Sequence, residues 1–451
     1  MRHRARRFLL SGLLAGLLSV TAACASGGPS PPEPGPAPLP EEPAEEPPGT
    51  PPEQLPALPG HPVPSEEPLV RVGLSVGADS VVLDARDGLE IEGLVPDRTI
   101  EIGAGEPLTV RPSAEGVELL EPGNDRPSTF RRIVVAPAGA SPVRVDGAAY
   151  RGRVELYRRP PHGMMVVNEL ELETYLLGVV PVEIGPREED EHEAVKAQAV
   201  AARTYTVRNL GRRDSVGFDL YGTVEDQVYG GRDVERPDAT RAVRSTEGRV
   251  LVYEGEPIRA YYHSTGGGWT ARVSDVWNLP DAPYLRRVSD RRPEGGDYCD
   301  ASPRYRWEER WTSSELDASV QEGLVDDFAL EEGASLGSVR SIEVLERGDR
   351  DRIQRFAVRT DRGRYVVTRN DIRFFLRTPD GRSLRSTRFE IVDGPEDGGG
   401  LALRGRGFGH GIGMCQWGAI GRARAGQAHG EILAHYYPGT ELIRAYGPPA
   451  R

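Results

Sequence analysis

The chain has 451 residues, 38% of them hydrophobic and 28% charged, and its 56 Lys+Arg against 69 Asp+Glu leave a formal charge of −13 at pH 7. That length provides for more than one ordinary domain and an ample core. The acidic balance argues against a protein built mainly to hold nucleic acid, which needs a basic face.

Arg2, Arg4, Arg6 and Arg7 precede an apolar run over 8–20, followed by Thr21-Ala22-Ala23-Cys24. A basic start, a short apolar stretch and small residues predict a secretory signal over 1–23. The run is too short to span a membrane comfortably. Small residues directly before Cys24 resemble a bacterial lipobox, in which the cysteine is lipidated and becomes the new N-terminus. Ordinary cleavage leaving a free Cys24 is the alternative. Lipidation would anchor an exported chain to a bacterial membrane, facing the cell wall from the periplasmic side. Ala25, where an Asp would retain the protein at the inner membrane, directs it to an outer membrane if the cell has one.

Residues 24–68 are mostly Pro, Gly, Ala and Glu, without Lys or Arg. Proline removes backbone donors and like charges repel, so this stretch reads as a disordered tether. It could reach about 100 Å.

Over 69–159, short alternating runs predict strands at 70–74, 80–84, 89–91, 99–102, 108–110, 132–135 and 143–145. Asp87-Gly88, Pro122-Gly123 and Asp146-Gly147 mark turns between them. A helix is expected at 170–180, ended by Pro181. Another is expected at 192–210, where good helix formers run without Gly or Pro. A second β-rich segment lies within about 313–395, with strands at 339–346, 353–360, 364–368 and 389–392. A last helix is expected over 417–435. Strands and helices do not alternate as βαβ units, so the fold class is α+β.

Three blocks of sequence occur in this order. The first is NELELETYLLGVVPVEI at 168–184, followed by EAVKAQAVAARTY at 193–205. The second is YHSTGGG at 262–268, with Val276-Trp277 and Pro283-Tyr284-Leu285 downstream. The third is GRGFGHGIGMCQWGA at 405–419, then HYYPGT at 435–440. Together they resemble the SpoIID/LytB family of bacterial cell-wall proteins, over about 70–443. The resemblance implies a core over 160–445 that acts on peptidoglycan glycan strands. That family includes lytic transglycosylases, often acting on strands without stem peptides, and an enhancer of a cell-wall amidase.

A lytic transglycosylase breaks the bond from N-acetylmuramic acid (MurNAc) to N-acetylglucosamine (GlcNAc) without water. One carboxylic acid protonates the leaving glycosidic oxygen. As carboxylate it then takes the proton of the muramoyl C6 hydroxyl, whose oxygen closes a 1,6-anhydro ring. The second carboxylate of most glycosidases is unnecessary. Such an acid needs partial burial to hold its proton near ambient pH. Glu183, in an apolar stretch after the 170–180 helix, matches the family's catalytic glutamate. The acids at 188–191 read as a solvated charge run.

The expected substrate contacts are Lys196 and Arg203, seven residues apart on one helix face, with Gln227, Tyr229, His263, Ser264 and His410. Lys196 is the chain's only lysine. Either its compact ammonium is required there or an Arg-biased gene left it by chance. Gln227 and Tyr229 read as a sugar-binding loop or an ordinary turn. Gln198 and Tyr205 share another face and suit sugar hydroxyls, although Tyr205 suits the core equally. Trp277 reads as core rather than as a sugar platform. His410, among five glycines, reads either as a cleft residue or as a buried, satisfied histidine. A phosphate loop is not expected there, because no βαβ unit follows and no Walker lysine is present.

Cys299 and Cys415 are a candidate disulfide in an oxidising compartment, with two free thiols as the alternative. Some members of the family bind zinc through Cys and His near the His-Ser-Thr-Gly-Gly motif. Here no cysteine lies close to His263 in sequence, so no metal or cofactor is expected. The expected function is glycan-strand cleavage. A non-catalytic glycan binder that recruits or enhances an amidase is the alternative. The expected partners are glycan strands, an amidase and a membrane, with no nucleic acid.

Overall fold

The computed structural model describes residues 62–93, 99–121, 126–328, 337–395 and 399–447. The signal, Cys24 and most of the tether lie outside the described residues. The tether's expected end at 68 is ordered. Pro68 O accepts Leu172 N at 3.1 Å and Glu67 Oε1 accepts Glu173 N at 2.7 Å. Both bonds satisfy orphan amides at a helix start, a role carboxylates fill well.

Twelve strands run from Leu69 to Glu171. Together with the strand Leu220–Tyr221, which pairs in parallel with Leu69–Ala78, they form among the described residues two largely antiparallel sheets, one of seven strands and one of six. Leu83, Ile91, Leu108, Val110, Ile133, Val135 and Leu156, from both sheets, fill one buried core. The alternation of 81–84, buried at Val81 and Leu83, is the pattern of a strand with one face inward. The expected strands are present. The strand Gly163–Glu171 takes the first two residues of the helix expected at 170–180.

The helices are α1 (Leu172–Ile184), α2 (His192–Asn209), α3 (Pro237–Ser245), α4 (Val273–Val276), α5 (Ser313–Phe328), α6 (Asp371–Phe375), α7 (Gln416–Arg424) and α8 (His429–Tyr436). The central one is α2. It is buried on nearly every side, because Ala194, Ala197, Ala199, Ala201 and Ala202 let neighbours approach closely. Pro181 does not end α1 but lies inside it. Proline costs a helix one internal hydrogen bond. Here the buried wall of Tyr175, Leu176, Val179, Val180 and Ile184 holds the last turn in place, and Gly185 closes it by donating to Pro181 O at 3.1 Å. Glu183 is therefore in a helical turn, not beyond one. The helix expected over 417–435 is two helices, because Gly426, at φ +83°, ends α7.

The late β-rich segment is built around its own core of Trp307, Trp311, Phe356, Phe375, Leu384 and Leu403. It leaves through the strand Arg306–Trp311 and returns through Leu401–Arg406. These two pair antiparallel, Arg306 opposite Arg406. The two ends of the segment are thus side by side, next to the Gly-rich loop. Among the described residues, no helix is long and apolar enough to cross a membrane.

Candidate active site around Glu183

Glu183 is half-buried in the last turn of α1. Its Oε1 accepts the Val228 backbone N–H at 2.9 Å. Its backbone carbonyl accepts Gln416 Nε2, also at 2.9 Å. Burial raises the Tyr262 and Tyr175 phenols well above their usual range, and the Glu183 charge adds to both effects. Both hydroxyls therefore stay protonated beside the carboxyl group.

Gln227 and Tyr229 bracket the Val228 donor, but neither is placed on a sugar surface. Gln227 is fully buried. Its Nε2 donates to Thr206 Oγ1 at 2.8 Å, and its Oε1 accepts Tyr262 Oη at 3.0 Å. Tyr229 donates to Asn168 Oδ1 at 2.9 Å and packs on α1 at Gly178. A Cβ built at Gly178 would come within 2.5 Å of the Tyr229 ring. The pair anchors the loop that aims an N–H at Glu183. Tyr205 is also interior, donating to Asp226 Oδ1 at 2.9 Å.

The two α2 cations are both paired with acids. Arg203 is 0% exposed and grips Glu173 with both arms, Nε to Oε1 at 2.7 Å and Nη2 to Oε2 at 2.6 Å. Tyr446 Oη and Gly248 N complete that carboxylate's shell. Burial pushes the Glu173 acid up, but the Arg203 charge and these donors bring it below the usual carboxylate range. Lys196 pairs with Glu193 at 2.6 Å, one turn away. Glu193 also takes His429 N and Nδ1, each at 2.7 Å. Burial raises Glu193, yet Lys196 and His429 hold it down at about 2. The seven-residue spacing did put both cations on one face, but acids within the fold claim them. Within the charge run, Glu191 departs from a solvated reading. It is buried and bonded by Arg424.

His263 ends a short strand, Tyr262–His263, which pairs in parallel with Met414–Cys415, and Ser264 follows it. His263 is buried. Its Nδ1 is 3.1 Å from Ile412 O and its Nε2 has no partner. Burial first, then the nearby His410 and Arg352, hold it well below its usual range, so it is neutral. His410 is half-buried and accepts Ile412 N at 3.0 Å. Burial and then Arg373 bring it down to about 3. Its ring is 5.1 Å from Trp277 and 5.6 Å from His263. The two histidines and Trp277 form one aromatic cluster behind the strand. The loop between them is tight. Gly413, at φ +71°, has no room for a Cβ, which would lie 1.9 Å from Tyr261 O. Ser264 is half-buried, and its carbonyl accepts Trp417 N at 3.1 Å.

Three contributors to this site were not singled out from the sequence. Gln416 braces Glu183 from α7. Arg187 donates Nε to Ile184 O at 2.7 Å and lies over the Trp417 ring, 5.1 Å from its centre. An aromatic next to a Gly-rich motif and an Arg four residues past the glutamate were the available signals.

Cys299 and Cys415 are two buried thiols here, not a disulfide. The Cys415 sulfur is held as an acceptor by Gly266 N at 3.1 Å and Gly418 N at 3.2 Å, at the start of α7. It shares its surroundings with Asp290 as well as Cys299, all within 4.8 Å of one another.

The family described as stage II sporulation protein matches residues 161–253, which carry α1, α2 and the Val228 loop. A domain of unknown function matches 294–413. Stage II sporulation protein D of Bacillus subtilis is 30% identical over 294 residues, covering 62% of this chain and 76% of that protein. The chain belongs to the stage II sporulation protein D family. An uncharacterized protein of Brachyspira hyodysenteriae is 33% identical over 285 residues, 62% of this chain and 68% of that protein. The amidase enhancer of Bacillus subtilis is 32% identical over 281 residues, but those cover only 38% of its length. The stretch matched by the family model is the helical core that carries Glu183.

Proposed function

We propose that this member of the stage II sporulation protein D family is a peptidoglycan lytic transglycosylase with Glu183 as its acid and base. The observation that carries the reading is the placement of Glu183. A half-buried carboxyl group in a helical turn is fixed from its backbone by Gln416 and from its side chain by Val228 N–H. Fixed geometry of this kind is what a group used twice in one reaction requires. In the proposed reaction the Glu183 acid gives its proton to the glycosidic oxygen as the bond to muramoyl C1 breaks. The C6 oxygen then bonds to C1, and its proton returns to Glu183. No water enters, and the acid is regenerated. Arg187 and Trp417, stacked beside this turn, suit a sugar face and an anionic lactyl group.

The amidase enhancer relative favours a second reading, in which the same cleft grips glycan without cutting it and serves an amidase. Digestion of purified glycan strands, with and without stem peptides, separates the two. Products with 1,6-anhydro-MurNAc ends that disappear in Glu183→Gln support the enzyme. Retained binding with intact strands in the wild type supports the binder. Reducing MurNAc ends would mean hydrolysis and refute the one-carboxyl mechanism. Attachment through Cys24 to a bacterial membrane, on the side facing the wall, completes the proposal. It fails if lipid labelling is unchanged in Cys24→Ala.

A further inference from the structure

Asp290, Cys299 and Cys415 are far apart in sequence, which is why local spacing showed no metal site. The fold brings one ligand atom from each within 4.8 Å of the others. All three side chains are fully buried. Asp290 Oδ1 is occupied, accepting Tyr436 Oη at 2.5 Å with Arg422 Nη2 at 3.5 Å. Asp290 Oδ2 is buried with no hydrogen bond from nitrogen or oxygen, and the Cys415 thiol lies against this carboxyl group. An unsatisfied buried carboxylate oxygen is costly unless something binds it. The Cys415 sulfur accepts two backbone N–H groups, from Gly266 and Gly418, at the N-terminus of nine-residue α7. Both features favour a thiolate, whereas burial raises the free Cys415 thiol well above its usual range, so a bound cation is what would draw its proton off. Gly418 adds a spatial requirement. A Cβ there would lie 2.6 Å from Asp290 Oδ2 and 2.0 Å from Tyr436 Oη.

We propose that Asp290 Oδ2 and the sulfurs of Cys299 and Cys415 form a Zn²⁺ site. Two thiolates and one carboxylate are a donor set that zinc accepts, and three protein ligands leave its fourth tetrahedral position to a water. Binding releases the two thiol protons. The Zn²⁺ charge against three anionic ligands leaves one negative charge, and the Arg422 guanidinium beside Asp290 offsets it. The ligands come from the 290 loop, the 299 turn and the residue before Gln416. The ion would therefore pin together the wall that braces Glu183. Its presence does not depend on whether that glutamate cuts glycan.

The test is metal content of the purified full chain, reduced, incubated with Zn²⁺ and desalted. One tightly held zinc per chain is expected, lost in Cys299→Ser and in Cys415→Ser and bound at least tenfold more weakly in Asp290→Asn. Cys24→Ser should keep it. Should the cysteine variants fold poorly, Co²⁺ substitution of the wild type decides instead. Thiolate ligation gives a sulfur-to-cobalt charge-transfer band in the near ultraviolet. The proposal is overturned if no stoichiometric metal binds, if the Co²⁺ protein lacks that band, or if peptide mapping of the exported chain finds Cys299 bonded to Cys415.

Discussion

Replacing Arg203 by leucine separates a structural cation from a substrate cation. The guanidinium is 0% exposed and makes two charged hydrogen bonds to Glu173, whose side chain is 16% exposed. It also donates to Arg249 O and Val243 O, each at 3.3 Å. Arg203→Leu leaves a mostly buried carboxylate supported only by Tyr446 Oη and Gly248 N. Breaking one side of a buried pair costs about 3–5 kcal/mol. Adding Glu173→Gln removes the stranded charge and should recover about 1–3 kcal/mol of that. The effect of pH fixes the sign. With Arg203 present, the folded Glu173 acid lies below its ordinary value of 4.5. Its stabilisation is therefore full above about pH 4.5 and is lost as pH falls through the folded value. Without Arg203, burial dominates and the carboxyl group would rather be protonated. The gap between wild type and variant should thus be widest at neutral pH and narrow on acidification. Urea unfolding at several pH values, followed by helical circular dichroism, measures it. A variant within about 1 kcal/mol of wild type at pH 7 that no longer binds glycan strands would refute this reasoning and return Arg203 to the cleft.

Other perturbations divide the site in the same way. Gln416→Leu removes the brace on the Glu183 carbonyl and should lower the cleavage rate about tenfold or more, with KM for glycan strands little changed; an unchanged kcat would show that the brace is idle. Tyr229→Phe removes a buried hydrogen bond to Asn168 and should cost about 1–2 kcal/mol in urea unfolding, while anhydro-product formation persists in a digestion assay. Lys196→Met should stay within about 1 kcal/mol of wild type and keep full activity on glycan strands, since its partner is Glu193; loss of activity without loss of stability would reinstate the lone lysine as a cleft residue.

Periodicity fixed α2 to within a residue of its ends, because an Ala-rich run without Gly or Pro has one low-energy conformation. It placed most of the strands in the first sheet pair for the same local reason. It misjudged the end of α1, because proline's cost is local whereas the buried wall that overrides it is tertiary. Glu183 was singled out through its motif, but its seat in a helical turn was not. Gln227, Tyr229 and Arg203 were legible as unusual residues but not in their roles. A polar side chain that binds sugar and one that satisfies a buried neighbour look alike until burial is known. Arg203 faces Glu173 across thirty residues of sequence, and no spacing rule links them.

Under the proposed mechanism a single carboxyl group is used twice and must be held in place, and Gln227 and Gln416 are positioned to hold it. Gln227 is bonded at both ends of its amide, which fixes the loop that carries Val228 N–H. Gln416 follows directly on Cys415, so whatever holds Cys415 also sets where Gln416 reaches the Glu183 carbonyl. If that wall were loosened rather than removed, as by Cys415→Ser in a chain that still folds, the proton-transfer distance would vary and kcat would fall ahead of KM. A rise in KM alone would mean that the wall serves sugar binding, and that the brace on Glu183 comes from α1 itself.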